Sequence, residues 1–291
     1  MIKFLKYFFE ALIFYIFVLI GKLLGLKNSK KIFSVIFQKV GPLFKSNEIV
    51  SKNLNKFLPN IPNEKKNKII RAMWSNYGKT FIEYVFLRTY QKEKDYVKFE
   101  GLNFMSEVLI KKKPVIFISG HFANFEMMSM EIIKKKINLA TIYRPLNNFF
   151  INPIMEYLRK KYICPNQIKK GMSGVKDSIR FLNEGSSIAL MVDQRVSEGE
   201  ILPFFEKNCF TTTLPAQLAI KFNCNIVPIY ISRENNKFSM EIYKPIMIKN
   251  YKNIMDHTDM KIKISNDINL LLEEMILRDP SQWILTHNRW K

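Results

Sequence analysis

Apolar positions change their rhythm along this chain, and the changes divide it into three stretches. From Phe4 to Leu26 most positions are apolar, and Ala11–Ile20 is unbroken. Lys3 and Lys6 precede the run, but no small-x-small cleavage pattern follows, so it is not expected to be a removable leader. Glu10 and Lys22 bracket eleven residues, about 16 Å of helix against a hydrocarbon core of about 30 Å. A full crossing would bring those charges into or near the bilayer, and a mid-membrane acid costs about 2–3 kcal/mol. The segment therefore either crosses with strain or lies partly embedded as an anchor. A buried helix of a soluble protein is the competing reading. Lys22, Lys27, Lys30 and Lys31 outnumber the lysines ahead of the run, which predicts the main body on the cytoplasmic side.

From residue 28 to about 95 the rhythm is helical. Ile69, Ile70, Met73, Tyr77, Phe81, Tyr84 and Val85 recur at three- and four-residue steps, the stripe of a core-facing helix. Pro62 and Asn63 stand where such a helix should begin. Beyond residue 96 short apolar runs take over. Pro114–Gly120 reads as a buried strand ending in a turn, followed by a helix over Asn124–Lys136. Leu139–Tyr143 and Ser187–Val192 read as further strands, with a helix near Val175–Leu182 between them, and Asn225–Ser232 and Lys237–Tyr243 complete the sheet. A last amphipathic helix spans about Thr258–Leu277. Strands alternating with helices predict an α/β fold, a mixed central sheet flanked by helices. The expected organisation is an anchor over 1–27 and one domain over 28–291, helical to residue 95 and α/β over 96–291.

Composition adds charge. The chain carries 46 basic and 25 acidic residues, a net +21, and only nine of the basic residues are Arg. Such a field favours anionic partners, although a lysine-rich skew also follows from compositional bias alone. Cys164, Cys209 and Cys224 are scattered, with no spacing suited to a zinc or redox motif, and point to a reducing compartment. Neither a phosphate-binding glycine loop, a dinucleotide fingerprint nor a nucleic-acid module is present. No metal, cofactor or nucleic-acid partner is expected. Gly171-Met-Ser-Gly-Val175 approaches a nucleophile elbow but lacks the second glycine; it reads as a polar loop before a helix.

Chemistry concentrates at Ser119-Gly-His-Phe-Ala-Asn-Phe-Glu126. On one continuous helix His121 and Glu126 would lie about 140° apart. With His121 in the strand-to-helix turn and Glu126 in the first helical turns, the carboxylate can hold one imidazole nitrogen and leave the other to take a proton from a hydroxyl. A helix-capping His beside a solvated Glu is the alternative. Arg144 ends the second strand, where a guanidinium suits a phosphate or carboxylate and equally suits a surface ion pair. Asp193-Gln-Arg195 ends the third strand, with an Asx turn as its plain reading. Three strand ends turning polar at one sheet edge make a site of what would singly be loops.

Together, Gly-His-Phe-Ala-Asn-Phe-Glu (120–126), Tyr-Arg-Pro-Leu-Asn (143–147), Asp-Gln-Arg (193–195) and Pro-Ser-Gln-Trp-Ile-Leu-Thr-His-Asn-Arg-Trp (280–290) resemble the lipid A biosynthesis (late) acyltransferases, within the lysophospholipid acyltransferase-like group. The likeness covers nearly the whole chain. It implies a glycerolphosphate acyltransferase-like fold and transfer of a lauroyl or myristoyl chain from acyl carrier protein, or from coenzyme A, to a phosphorylated lipid A precursor. It also implies residence at the inner (cytoplasmic) membrane with the catalytic domain on the cytoplasmic side. His121 and Glu126 match the family's His-x4-acid catalytic pair, Arg144 its phosphate-associated block and Asp193 its third block. Asn124, Gln194 and Arg195 are further substrate-contact candidates. Backbone N–H groups over Gly120–Asn124 are expected to face the oxyanion, and Trp283 and Trp290 to pack or anchor. Another lipid acceptor and a non-catalytic membrane-tethered lipid-binding protein are the alternatives.

Overall fold

A computed structural model describes residues 2–44, 47–109, 113–254 and 256–290. Helix α1 (Ile2–Phe44) bends at Gly25, whose φ of 71° is open to glycine at little cost. The boundary expected after residue 27 falls just past that bend, and the helix continues through it. α2 (Asn47–Phe57), α3 (Asn63–Glu83) and α4 (Leu87–Lys92) complete the helical stretch. α3 begins after Pro62, as the sequence predicts, and buries Ile70, Met73, Trp74 and Ile82. Phe81 from the predicted stripe packs on Phe14, Phe17, Phe33 and Phe37 of α1.

The remainder alternates: β1 (Val97–Glu100), α5 (Leu102–Leu109), β2 (Ile116–Ser119), α6 (Glu126–Lys134), β3 (Leu139–Tyr143), α7 (Asn152–Tyr162), β4 (Asn166–Lys169), α8 (Met172–Asn183), β5 (Ser187–Met191), β6 (Glu200–Phe204), β7 (Lys207–Thr211), α9 (Leu214–Phe222), β8 (Ile226–Glu234), β9 (Lys237–Ile242) and α10 (His257–Arg278). Seven strands form one sheet in the order β1-β9-β8-β2-β5-β3-β4. Strands β8, β2, β5, β3 and β4 are parallel, while β9 runs antiparallel to β8. Alternation along β2 sends Ile116 and Ile118 into one core cluster and Phe117 into the other, so the sheet is buried on both faces. The stretch expected as a polar loop before a helix is instead helical from Met172 onward, with Gly171 as the N-cap of α8. β6 and β7 make a separate hairpin, with Phe205 and Glu206 both at positive φ in its two-residue turn.

One polar network crosses the apolar interior. Glu83 is fully buried and accepts from Arg233 Nη2 (3.0 Å), Asn124 Nδ2 (3.0 Å) and Tyr90 (3.2 Å). Lys30 of α1 approaches the same carboxylate at 3.9 Å. Burial lowers the Lys30 pKa, with Glu83 opposing it. Removing one partner of such a buried pair costs about 3–5 kcal/mol. Here the pair joins α3, β8 and the turn after β2.

Candidate active site

The sheet order puts the C-terminal ends of β2, β5, β3 and β4 side by side, and all four lead into polar residues. After β2 the chain turns at Gly120, where a Cβ would fall 2.6 Å from the Phe122 ring. This close approach swings His121 over the end of β5. There its backbone N–H donates to Asp193 Oδ2 (3.0 Å), and its ring Nδ1 pairs with Asp193 Oδ1 (2.7 Å). Trp283 Nε1 gives the carboxylate a third hydrogen bond (2.8 Å). Asp193 is buried, which alone would raise its pKa. The neighbouring imidazole, the two His121 hydrogen bonds and the indole hold it at about 2 instead.

This arrangement corrects an expectation: the imidazole takes Asp193, not Glu126, as its carboxylate. Glu126 opens α6 and is buried, but its Oε1 accepts from Arg159 Nε (2.8 Å) and from the Tyr84 hydroxyl. Arg159 Nη2 also donates to the Tyr84 oxygen (3.2 Å). Burial would depress the Arg159 guanidinium, but Glu126 and Tyr84 more than offset it and keep it charged. Its Nη1 is buried without a partner among the described residues. His121, Glu126 and Arg159 line one cavity of about 170 Å³ with mixed polar and apolar walls, so the two predicted residues share a site without touching through a hydrogen bond.

The other expectations divide. Arg144 is exposed beyond β3, lines the same cavity and makes no hydrogen bond or ion pair among the described residues. Gln194 lines it as well. Arg195 borders an adjoining groove of about 870 Å³ together with Arg144, Lys170, Thr212 and His287. Asn124 is fully buried and donates to Glu83, so it braces the turn instead of facing substrate. The expected amide cradle is largely occupied. The N–H of His121 binds Asp193, that of Phe122 binds Gly120 O, and that of Ala123 binds Gln282 O. Ala123 holds a φ of 45°, a strain of order 1–2 kcal/mol, under the grip of Gln282 and of Thr80, which donates to its carbonyl (3.0 Å). Trp283 hydrogen-bonds the acid rather than only packing, whereas Trp290 stacks on Phe57 and packs at a tilt against Phe204.

Sequence reasoning passed over Lys170, Arg159, Tyr84 and His287. Lys170 follows β4 and lines both the His121 cavity and the adjoining groove, its pKa lowered by burial and then by Arg144. His287 is held near 4, chiefly by burial and against the pull of Asp193. Behind Phe125, whose ring meets the His121 imidazole edge-on at 4.6 Å, lies a third space of about 400 Å³. Its walls are mostly apolar: Phe14 and Phe37 from α1, Phe81 from α3, Leu146, Ile151 and Met155. Arg159 and Phe125 border both this chamber and the His121 cavity. An imidazole paired with a carboxylate, a fixed guanidinium, an apolar chamber and a cationic groove thus meet at one sheet edge. Such an arrangement can deprotonate a hydroxyl beside an acyl chain and hold an anionic group nearby.

Comparison with known proteins agrees. The profile of the family described as "Bacterial lipid A biosynthesis acyltransferase" matches residues 2–291. The chain is 21% identical over 257 residues to the lipid A biosynthesis palmitoleoyltransferase of Escherichia coli (strain K12), covering 86% of this chain and 80% of that one. It is similar to the same extent to the lipid A biosynthesis acyltransferase of Shigella flexneri.

Proposed function

Because the chain belongs to the bacterial lipid A biosynthesis acyltransferase family and is therefore an acyltransferase enzyme, we propose that it transfers a fatty acyl chain from acyl carrier protein to a hydroxyl of a phosphorylated lipid A precursor, with His121 as general base. The His121–Asp193 contact carries this reading. With Nδ1–H donating to a carboxylate that stays ionised down to about pH 2, Nε2 is the basic nitrogen. It takes the acceptor's hydroxyl proton as the oxygen attacks the thioester carbon. The tetrahedral intermediate collapses with cleavage of the C–S bond, and the imidazolium returns the proton to the leaving thiolate. Asp193 orients the ring and stabilises its charged form.

Glu126 enters the chemistry through Arg159. Its carboxylate fixes the guanidinium, and the unpartnered Nη1 is a donor for the oxyanion, a task that the occupied amides of residues 121–123 cannot perform. The apolar chamber suits the donor's acyl chain, and Arg144, Lys170 and Arg195 suit acceptor phosphate. Net positive charge steers an acidic carrier protein and an anionic membrane surface toward this face. The exposed apolar face of α1 supports attachment to a membrane, and the excess of lysines after the apolar run favours the inner membrane with the catalytic domain on its cytoplasmic side.

Purified full chain, incubated with acyl carrier protein and coenzyme A thioesters of defined length and a panel of lipid acceptors, tests this by mass spectrometry. A phosphorylated, hydroxyacylated glycolipid should gain one acyl chain, and His121→Ala should abolish the gain while the protein stays folded. Acylation of a lysophospholipid alone would refute the acceptor and leave the reaction class intact.

A further inference from the structure

By length and composition α1 is the one helix among the described residues suited to cross a membrane, yet its contacts run along the catalytic domain instead of away from it. Tyr7, Ala11, Phe14, Val18 and Gly21 recur at three- and four-residue steps and form its covered face. At one end Asn148, just beyond Arg144, donates to Tyr7 O (2.9 Å) and Glu10 Oε2 (3.1 Å), and Tyr15 donates to Phe150 O (3.0 Å). The rings of Phe4 and Phe8 lean on Phe150 at 5.3 and 5.9 Å. At the other end Gly21 abuts Ile82 of α3. From Tyr7 to Gly21 a helix rises about 21 Å, and the domain follows it over that whole length.

A perpendicular helix would therefore drag the loop after β3 to the far leaflet. Its irregular backbone and the polar side chains of Asn147 and Asn148 would then lie at hydrocarbon depth, where lipid-exposed irregular backbone is not tolerated. Glu10, half-exposed and hydrogen-bonded to Asn148, would be immersed too. The opposite face of α1 is an uninterrupted apolar surface carrying Leu5, Phe9, Leu12, Ile16, Leu19 and Leu23, all exposed. Leu146 and Phe149 extend this surface onto the loop that follows Arg144. Exposed Lys3 and Lys6 stand at one end and Lys22 and Lys27 at the other. An apolar stripe with lysines at both ends matches the boundary between the acyl chains and headgroups of an anionic leaflet.

We propose that α1 lies in the plane of a single anionic leaflet, both ends on one side, and that with the loop after β3 it forms a lateral gateway for lipid chains. The gateway follows from Phe14 and Phe37, which face the chamber behind Phe125 while their own helix faces lipid. This rests on the membrane attachment proposed above. Lys3→Cys and Lys22→Cys, each in the full chain, place single reporter thiols at the two ends, because the three native cysteines are buried. Everted and right-side-out membrane vesicles from cells producing each variant are treated with a membrane-impermeant maleimide. Both thiols should react in everted vesicles and neither in right-side-out ones. Reaction of the two thiols from opposite sides would overturn the in-plane placement while leaving attachment intact. Recovery of the chain in the soluble fraction would overturn attachment, and the placement with it.

Discussion

Two buried carboxylates stand at this sheet edge, and their surroundings differ in one respect. Asp193 is held by an imidazole, an indole and a backbone amide. Glu126 is held by a guanidinium and a phenol. The first set contains no permanent cation, so under the proposed mechanism the charge on Asp193 is available to an imidazolium that forms during reaction. The second is already paired with Arg159, and under the proposed mechanism it acts by fixing that guanidinium. Buried acids of the same charge thus acquire different tasks from their donors, and spacing along the chain does not reveal which donor each acid meets.

Mutation can break this comparison. Asp193→Asn should lower kcat by about 10²–10⁴-fold with KM little changed. Glu126→Gln should cost about 10–10²-fold, less than loss of a whole oxyanion donor. Steady-state kinetics on variants shown to be folded by circular dichroism would reverse the assignment if Glu126→Gln were the worse. Arg144→Ala should raise KM for a phosphorylated acceptor about 10–10²-fold, the equivalent of one lost charge-assisted hydrogen bond, and leave an unphosphorylated analogue unaffected. Met155→Trp should narrow the apolar chamber and move donor preference to shorter chains, about tenfold or more per methylene, as competition between thioesters would read.

The smallest effect is on stability. His287 has a folded pKa near 4 against an ordinary 6.5. The unfolded chain therefore binds the proton first, and stability present above pH 6.5 is lost as pH falls toward 4. His287→Gln should flatten that part of a denaturation-midpoint profile. The deeper loss from Asp193, between its ordinary 3.8 and about 2, should remain.

Much of this architecture is legible in the sequence because the strands beneath the site are continuous apolar runs. Leu139–Tyr143 and the run from Ser187 emerge where periodicity puts them, and His121, Arg144 and Asp193 converge because each ends a neighbouring parallel strand. Short or polar elements escaped: β4 is four residues of Asn-Gln-Ile-Lys, and α7 ends in a basic run that resembles a solvated face. Lys170 was hidden by the abundance of lysine. Arg159 left a fainter trace, since nine arginines among 46 basic residues make each one conspicuous. Arg159, Arg233 and Arg289 all have guanidinium groups turned inward to fixed partners. The exchange of Glu126 for Asp193 at the imidazole was beyond sequence reasoning, because it depends on β5 lying between β2 and β3.

The indole that steadies Asp193 comes from a residue 90 positions later, beyond the last long helix. A nascent chain can therefore lay down the sheet and present its histidine long before the aligning acid is secured. Until the segment carrying Trp283 has left the ribosome and folded back, the growing polypeptide already carries its apolar first helix but lacks the third hydrogen bond to Asp193. The order of synthesis thus places completion of the His121–Asp193–Trp283 arrangement among the last steps of folding.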